Sequence, residues 1–263
     1  MPLPKLNLSP PLATKSMPII AIEGNIGAGK STLLRQLANR GMRVVDEPLK
    51  KWRGEEGGGS NLLELFYSEP KRWAFTFQTA AFLTRAQSAA SAIRAPDAPP
   101  NATWVLERSL LSDKHCFATN CYKTDLFTLA EWGVYQDYHS WLMAEFPTLN
   151  LDGAVYVRTE PTTCLQRLQK RGRAEESSIP LDYLQQLHSR HEEWLVPTAD
   201  LPAPAVSSQA PWGSIRHALS SDGVPVLVLD GEADFEGAGA QDDYHEAITA
   251  FVDSLIQGDK PTP

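Results

Sequence analysis

The run "IIAIEGNIGAGKSTLL", Ile19 to Leu34, constrains this chain more than any other stretch. Met17 to Gly24 is apolar and bounded by Pro18 and Gly24, which reads as a buried strand. From Lys30 onward the period changes: Leu33, Leu34 and Leu37 recur at helical spacing with Arg35, Gln36 and Asn39 between them. A strand therefore hands over to a helix across glycines. The spacing Gly24, Gly29, Lys30, Ser31 is G-x-x-x-x-G-K-S, a phosphate-binding loop in the strand–helix setting that such a loop requires. The loop residues Gly24, Asn25, Ile26, Gly27, Ala28, Gly29, Lys30, Ser31 and Thr32 offer backbone N–H groups to one centre, and the helix adds the positive end of its dipole. Lys30 supplies a point charge for β- and γ-phosphates, and the Ser31 hydroxyl suits Mg²⁺. A glycine-rich turn without those flanks would imply none of this.

Charge argues that the phosphate partner is small. Lys and Arg number 24 against 32 Asp and Glu, a net charge of −8, which disfavours a general nucleic-acid binder. With 263 residues, 42% of them hydrophobic, the chain can fill one large α/β core, and no second domain announces itself. Cys116, Cys121 and Cys164 form neither a disulfide framework nor a metal-site spacing. A reducing compartment fits, with the cytoplasm expected and a mitochondrion or other organelle left open. The lead-in, residues 1–17, lacks both the apolar core of a secretory signal and the arginines of a transit peptide, and its prolines predict disorder. No run approaches the ~20 apolar residues needed to span a bilayer, so no membrane partner is expected. Asn101-Ala102-Thr103 matches a glycosylation sequon but, without a signal, should not meet the machinery.

Along the chain, "MRVVDEP" reads as a short second strand ending at Asp46, Glu47 and Pro48, and "GEEGGGS" as a loop. Helical spacing runs from Asn61 to Ile93 with a break near Pro70, "TWVLE" is the next buried strand, and 110–145 is helical and rich in aromatics. "LDGAVYVR" is a fourth strand, 161–195 holds two helices around a basic turn, "VPVLVLD" closes the sheet, and 241–256 is a final helix. Strands alternating with helices predict an α/β fold: a central parallel sheet flanked by helices, in one domain over 18–258. Residues 197–223, rich in Pro, Ala and Ser, read as a surface insertion.

Ligands of such sheets gather beyond the carboxyl ends of the strands, and two acids stand there: Glu47 after "RVVD" and Glu107 after "TWVL". Either alone could be a cap or a surface ion pair. Two in equivalent places, with Arg108 adjacent, favour catalysis: one carboxylate to take a proton from a hydroxyl, the other to hold Mg²⁺. "RLQKRGRAEES" places Arg167, Lys170, Arg171 and Arg173 within seven residues, suited to a lid over phosphates at about 167–179. His188 and His191 stand three apart, which could be half a metal site but reads better as a polar helix face.

These motifs, in order, resemble a known family. "EGNIGAGKST", "DEP" with Trp52 five residues after Glu47, "FYSEPKRWAFTFQ", "ERSLLSD", "DYHSW" and "RGRAEESSIPLDYLQQLHSRHEEWL" are similar to the eukaryotic deoxyribonucleoside kinases, those for deoxycytidine and deoxyguanosine in particular. The resemblance implies a P-loop kinase fold and transfer of the γ-phosphoryl of ATP, or another nucleoside triphosphate, to a deoxyribonucleoside 5′-hydroxyl. It implies that Glu47 is the general base, that Arg108 orients it, that Lys30, Arg167, Arg171 and Arg173 serve the phosphates, and that Ser31 and Glu107 serve Mg²⁺. Gln78 would read the base edge between the apolar walls Trp52, Phe77 and Phe117, and Tyr67 and Glu176 would hold the 3′-hydroxyl. Phe77 also suits plain helix packing. The segment Asp230 to Phe235 would cover adenine.

Arg85 and Asp113 match an Arg and an Asp of the cytosine- and purine-accepting kinases, so thymidine is expected to be disfavoured. A homodimer through helices of the 70–145 region is expected on the same resemblance. Two other readings compete: a nucleoside monophosphate kinase, which would need basic residues for its acceptor phosphate, and a non-catalytic subunit, since an accessory subunit of mitochondrial respiratory complex I resembles these kinases. The amide and aromatics between Glu47 and Gln78 argue against the first, and intact Lys30, Glu47 and Arg108 against the second.

Overall fold

A computed structural model describes residues 18–56, 59–99, 102–197, 216–232 and 240–257. The expected lead-in, the Asn101 sequon, Phe235 and 198–215 of the expected insertion lie outside the described residues. In chain order the elements are β1 (Ile19–Glu23), α1 (Lys30–Asn39), β2 (Arg43–Val45), α2 (Leu49–Trp52), α3 (Leu62–Ser68), α4 (Pro70–Ile93) and β3 (Trp104–Glu107). Then come α5 (Leu110–Ser112), a π-helical stretch (Asp113–Ala118), α6 (Thr119–Lys123), α7 (Leu129–Glu145), a 3₁₀ turn (Pro147–Leu149), β4 (Gly153–Arg158) and α8 (Pro161–Arg171). A 3₁₀ turn (Ala174–Glu176), α9 (Leu181–Leu195), β5 (Arg216–Leu219), β6 (Pro225–Asp230) and α10 (Ala240–Gln257) complete the order.

The strands form one six-stranded sheet in the order β2-β3-β1-β4-β6-β5. β1 lies in the middle, parallel to β3 on one side and β4 on the other, with Ile20 opposite both Val105 and Gly153. Its alternation explains why it must be apolar throughout. Ile20 and Ile22 join a cluster with Leu33, Leu37, Val155 and Phe251, while Ile19 and Ala21 join another with Phe82, Leu106 and Leu142. Each fully buried isoleucine contributes about 2–3 kcal/mol of hydrophobic stabilisation. The chain leaves β1 for β2 and β3, then crosses to β4 on the other side, so a crevice opens beside β1 where the strand order reverses.

The parallel sheet flanked by helices is as the sequence implies, with one difference. β6 does not close the sheet: β5 pairs antiparallel with it, Ala218 opposite Val226, at the edge. These four residues fall within 197–223 and carry no periodicity that predicts a strand; β6 dictates their pairing through the turn at Gly223 (φ 78°). The aromatic-rich run 110–145 is likewise not one helix. It breaks after Lys123 and restarts at Leu129, where Thr128 accepts from the Glu131 N–H and the Glu131 carboxylate accepts in return.

Candidate active site

The phosphate loop closes over the C-terminal end of β1. Gly27 has φ 82°, and a Cβ there would sit 2.5 Å from the Cys164 carbonyl, so only glycine lets the loop meet α8. Gly29, at φ 102°, turns the chain into α1. Asn25 and Ala28 are buried beneath the loop, and the Asn25 amide donates to the Leu184 carbonyl at 2.8 Å, tying the loop to α9. Lys30 Nζ donates to the Asn25 carbonyl at 2.8 Å. Burial and then the Arg108 charge pull the Lys30 pKa down to about 8, against the opposing pull of Glu107 and Glu47. An arriving phosphate would reverse that shift, because it supplies the missing counter-charge.

Ser31 Oγ donates to Glu107 Oε1 at 2.7 Å. A hydroxyl and a carboxylate side by side, next to the phosphate cradle, suit a hard divalent cation that keeps water and phosphate oxygens as its other ligands. No closed metal cage competes: among the described residues no group of three or more His, Cys, Asp or Glu could hold an ion.

Beyond the loop opens a cavity of about 600 Å³. Every acceptor-side residue named from sequence lines it: Glu47, Trp52, Tyr67, Phe77, Gln78, Arg85, Arg108, Asp113, Phe117 and Glu176. Phe77 both packs and lines, stacked on Phe66 with centroids 5.0 Å apart and edge-on to Trp52 at 5.6 Å. Trp52 is pinned by its own N–H, which donates to Thr84 at 2.8 Å. Gln78 is 1% exposed, yet its Nε2 has no partner within the described residues. A buried amide donor left unpaired costs about 1–3 kcal/mol, which a ligand in the cavity would recover.

The charged groups form one network. Glu47 Oε1 accepts from Arg85 Nη2 at 3.0 Å and lies 3.2 Å from Arg108 Nε. Burial would raise the Glu47 pKa, but Arg85, Arg108 and Lys30 together hold it below its ordinary value, so the carboxylate is ionised at neutral pH. Arg85 also donates to Asp113 Oδ2 at 2.9 Å and to the Glu107 carbonyl at 2.8 Å. The family resemblance singles out Arg85 and Asp113; it gives no sign that the same guanidinium also grips Glu47. Arg108 adopts φ 62°, a left-handed conformation rare outside glycine, and its guanidinium lies 4.6 Å over Phe117.

The basic run divides its labour. Arg167 donates to the Gly231 carbonyl at 2.7 Å and to the Glu232 carbonyl at 3.1 Å, joining α8 to the loop after β6. Arg171 and Arg173 both turn to Glu176, the latter at 3.2 Å. Glu175 meets Arg53 at 2.5 Å, so the lid turn touches the end of α2. The Tyr67 hydroxyl faces this carboxylate cluster: burial, then Glu176 and Glu47, push its pKa up.

One expectation is overturned. His191 is not on a polar helix face; it is fully buried, with Nε2 3.4 Å from Arg108 Nη1. Helical periodicity does not reveal this, because the face of α9 that carries Leu184, Leu187 and Leu195 reads as apolar and the histidine hides within it. Glu23 is also missed. It is fully buried at the end of β1, donated to by Ser109 Oγ at 2.6 Å, with burial raising its pKa to about 7.

The family described as Deoxynucleoside kinase matches residues 20–257. Among relatives, deoxycytidine kinase 1 of Xenopus laevis is 41% identical over 259 residues, covering 90% of this chain and 91% of its own. Deoxycytidine kinase 2 of Gallus gallus is 37% identical over 253 residues, covering 89% and 90%. The mitochondrial deoxyguanosine kinase of Xenopus laevis is 34% identical over 252 residues, covering 90% of each chain. Likeness of this extent takes in the phosphate loop, the slot and the lid together, and on it the chain belongs to the deoxynucleoside kinase family.

Proposed function

We propose that the protein transfers the γ-phosphoryl group of ATP, or another nucleoside triphosphate, to the 5′-hydroxyl of a deoxyribonucleoside, for nucleotide salvage. Deoxycytidine and the purine deoxynucleosides are favoured over thymidine. The observation that carries the reading is Glu47, ionised and gripped by Arg85 and Arg108 where the phosphate loop meets the aromatic slot.

Both arginines fall on Glu47 Oε1, which leaves Oε2 to meet the substrate hydroxyl. As the 5′-oxygen attacks, its proton passes to Glu47, the new O–P bond forms, and the bond to the β-phosphate oxygen breaks. Lys30, Arg171, Arg173 and the loop N–H groups stabilise the charge on the transferring group. Ser31 and Glu107 would hold Mg²⁺, whose positive charge would partly neutralise the phosphates. Gln78 presents its unpaired donor to the base edge, Trp52, Phe77 and Phe117 flank the ring, and Tyr67 and Glu176 take the 3′-hydroxyl. The Arg85–Asp113 pair offers a donor and an acceptor in fixed order, which suits an exocyclic amino group and crowds the thymine methyl.

The slot's two arginines are already paired with Glu47 and Asp113, which speaks against an acceptor phosphate and so against a monophosphate kinase. Lys30, Glu47 and Arg108 standing together speak against a non-catalytic subunit. Three free, buried cysteines suit a reducing compartment, the cytoplasm or an organelle. No helix of the described residues is long and apolar enough to cross a membrane. Exposed Val134, Tyr138 and Trp141 on α7, with Leu83 on α4, support a homodimer through those helices. The deciding assay supplies ATP and Mg²⁺ with the four deoxynucleosides and, separately, their monophosphates, and follows ADP and the phosphorylated product. Deoxynucleosides other than thymidine should be the best acceptors. Turnover with monophosphates alone would overturn the proposal.

A further inference from the structure

His191 sits behind Arg108, away from the substrate slot, in a place where a histidine has to be explained. It is 0% exposed, its ring stacks on Tyr156 with centroids 5.9 Å apart and planes 1° from parallel, and it meets the edge of Phe117 at 6.5 Å. Its Nδ1 lies 2.7 Å from the Leu187 carbonyl one helical turn earlier. A carbonyl oxygen only accepts, so Nδ1 carries the proton. Its Nε2 lies 3.4 Å from Arg108 Nη1, and a guanidinium only donates, so Nε2 presents a lone pair. The two neighbours thus specify one neutral tautomer. Burial and the Arg108 charge, holding the imidazole pKa well below its ordinary value, agree with it.

We propose that His191 is a positioning residue for Arg108, its Nε2 lone pair fixing the guanidinium so that Nε addresses Glu47. Arg108 stands just after β3 in a left-handed backbone conformation, with a long side chain and, among the described residues, a single carboxylate ion-pair partner, which by itself does not fix the guanidinium. With Nε on Glu47, Nη1 on His191 and one face over Phe117, the guanidinium is held on three sides. Neutrality of the holder matters. A carboxylate in the same place would pair with Arg108 and compete with Glu47 for its charge, whereas a neutral acceptor orients the guanidinium and leaves its charge to Glu47 and the reacting oxygens. Tyr156 fixes the ring plane, and its own hydroxyl is anchored on Glu192 at 2.7 Å, so the whole support is rigid. This inference rests on the reading that Arg108 orients Glu47 and the 5′-oxygen.

The test uses three substitutions in the full chain. His191→Phe keeps the ring stack and removes the acceptor; His191→Gln restores an acceptor near Nε2; His191→Asn places its amide near Nδ1 and restores none at Nε2. Loss of a supporting group of this kind costs on the order of 10–100-fold, so kcat of the Phe and Asn variants should fall by that factor. The KM values for nucleoside and ATP should move by less than about 3-fold, since ground-state binding is untouched. His191→Gln should recover kcat to within about 3-fold of wild type, the remainder reflecting the lost Nδ1–H bond to the Leu187 carbonyl. In an Arg108→Ala background, His191→Asn should cost nothing further, because it acts only through Arg108. If Arg108→Ala itself leaves kcat intact, the role of Arg108 is wrong, separately from that of His191. If His191→Asn and His191→Gln are equally active, or the Asn change lowers kcat as much without Arg108 as with it, the positioning role is refuted. The Gln–Asn comparison decides the matter even if the Phe variant does not fold.

Discussion

Two buried glutamates that both feel the charges of Arg85 and Arg108 are driven in opposite directions, and the difference lies in their direct contacts. Glu47 shares two guanidinium contacts, and its pKa falls despite burial; Glu23 has the Ser109 hydroxyl at 2.6 Å and a second oxygen with no hydrogen-bond partner among the described residues, and burial wins. Replacing Glu47 by Gln keeps the shape and removes the carboxylate proposed to accept the proton. Glu47→Gln should lower kcat by ~10²–10⁴-fold with substrate KM values little changed, as steady-state kinetics will show. Near-normal turnover would take Glu47 out of the mechanism. Glu23 makes a prediction about pH. Its pKa is raised from 4.5 to about 7, so the folded chain holds this proton more tightly than the unfolded one. Its contribution to stability is then complete below pH 4.5 and is lost as pH rises through about 7. A glutamine has no such dependence. The melting temperature of Glu23→Gln minus that of wild type should rise between about pH 5 and pH 8; a constant difference would contradict the shift.

Between elements, Arg85 is the connection that matters most. One guanidinium on α4 reaches Asp113 in the π-helical stretch, Glu47 after β2 and the Glu107 carbonyl of β3. On the proposed roles, base selection and the general base are therefore mechanically joined. Arg85→Met with Asp113→Ala should raise thymidine kcat/KM relative to deoxycytidine by about 10-fold, the scale on which a methyl-sized space discriminates. Absolute kcat should fall for every nucleoside, because Glu47 loses one of its two guanidinium partners. Competition kinetics on the two nucleosides checks the first claim, and an unmoved ratio would sink it. Asp113→Ala alone is a worse probe, since it leaves a buried charge short of its partner.

At the scale of the molecule, α7 turns Val134, Tyr138 and Trp141 outward on one face, and Leu83 of α4 is exposed as well. In a homodimer that face is covered. Sedimentation should give twice the 29.0 kDa chain mass for wild type and the single mass for Trp141→Glu; an unchanged dimer would place the interface elsewhere. By itself the sequence determined the parallel sheet and the phosphate loop, because each is written locally, in apolar strands and a glycine spacing; it named the residues of the slot only through the family resemblance, since no local pattern records them. It did not contain β5, whose four residues become a strand only when β6 offers an edge. Nor did it contain the burial of His191, for a polar residue on an amphipathic helix is assigned to solvent until the packing of α9 against Tyr156 and Arg108 is known. The three-way grip of Arg85 was likewise decided by tertiary structure alone, since its partners lie 38, 28 and 22 residues away and no local pattern records such distances.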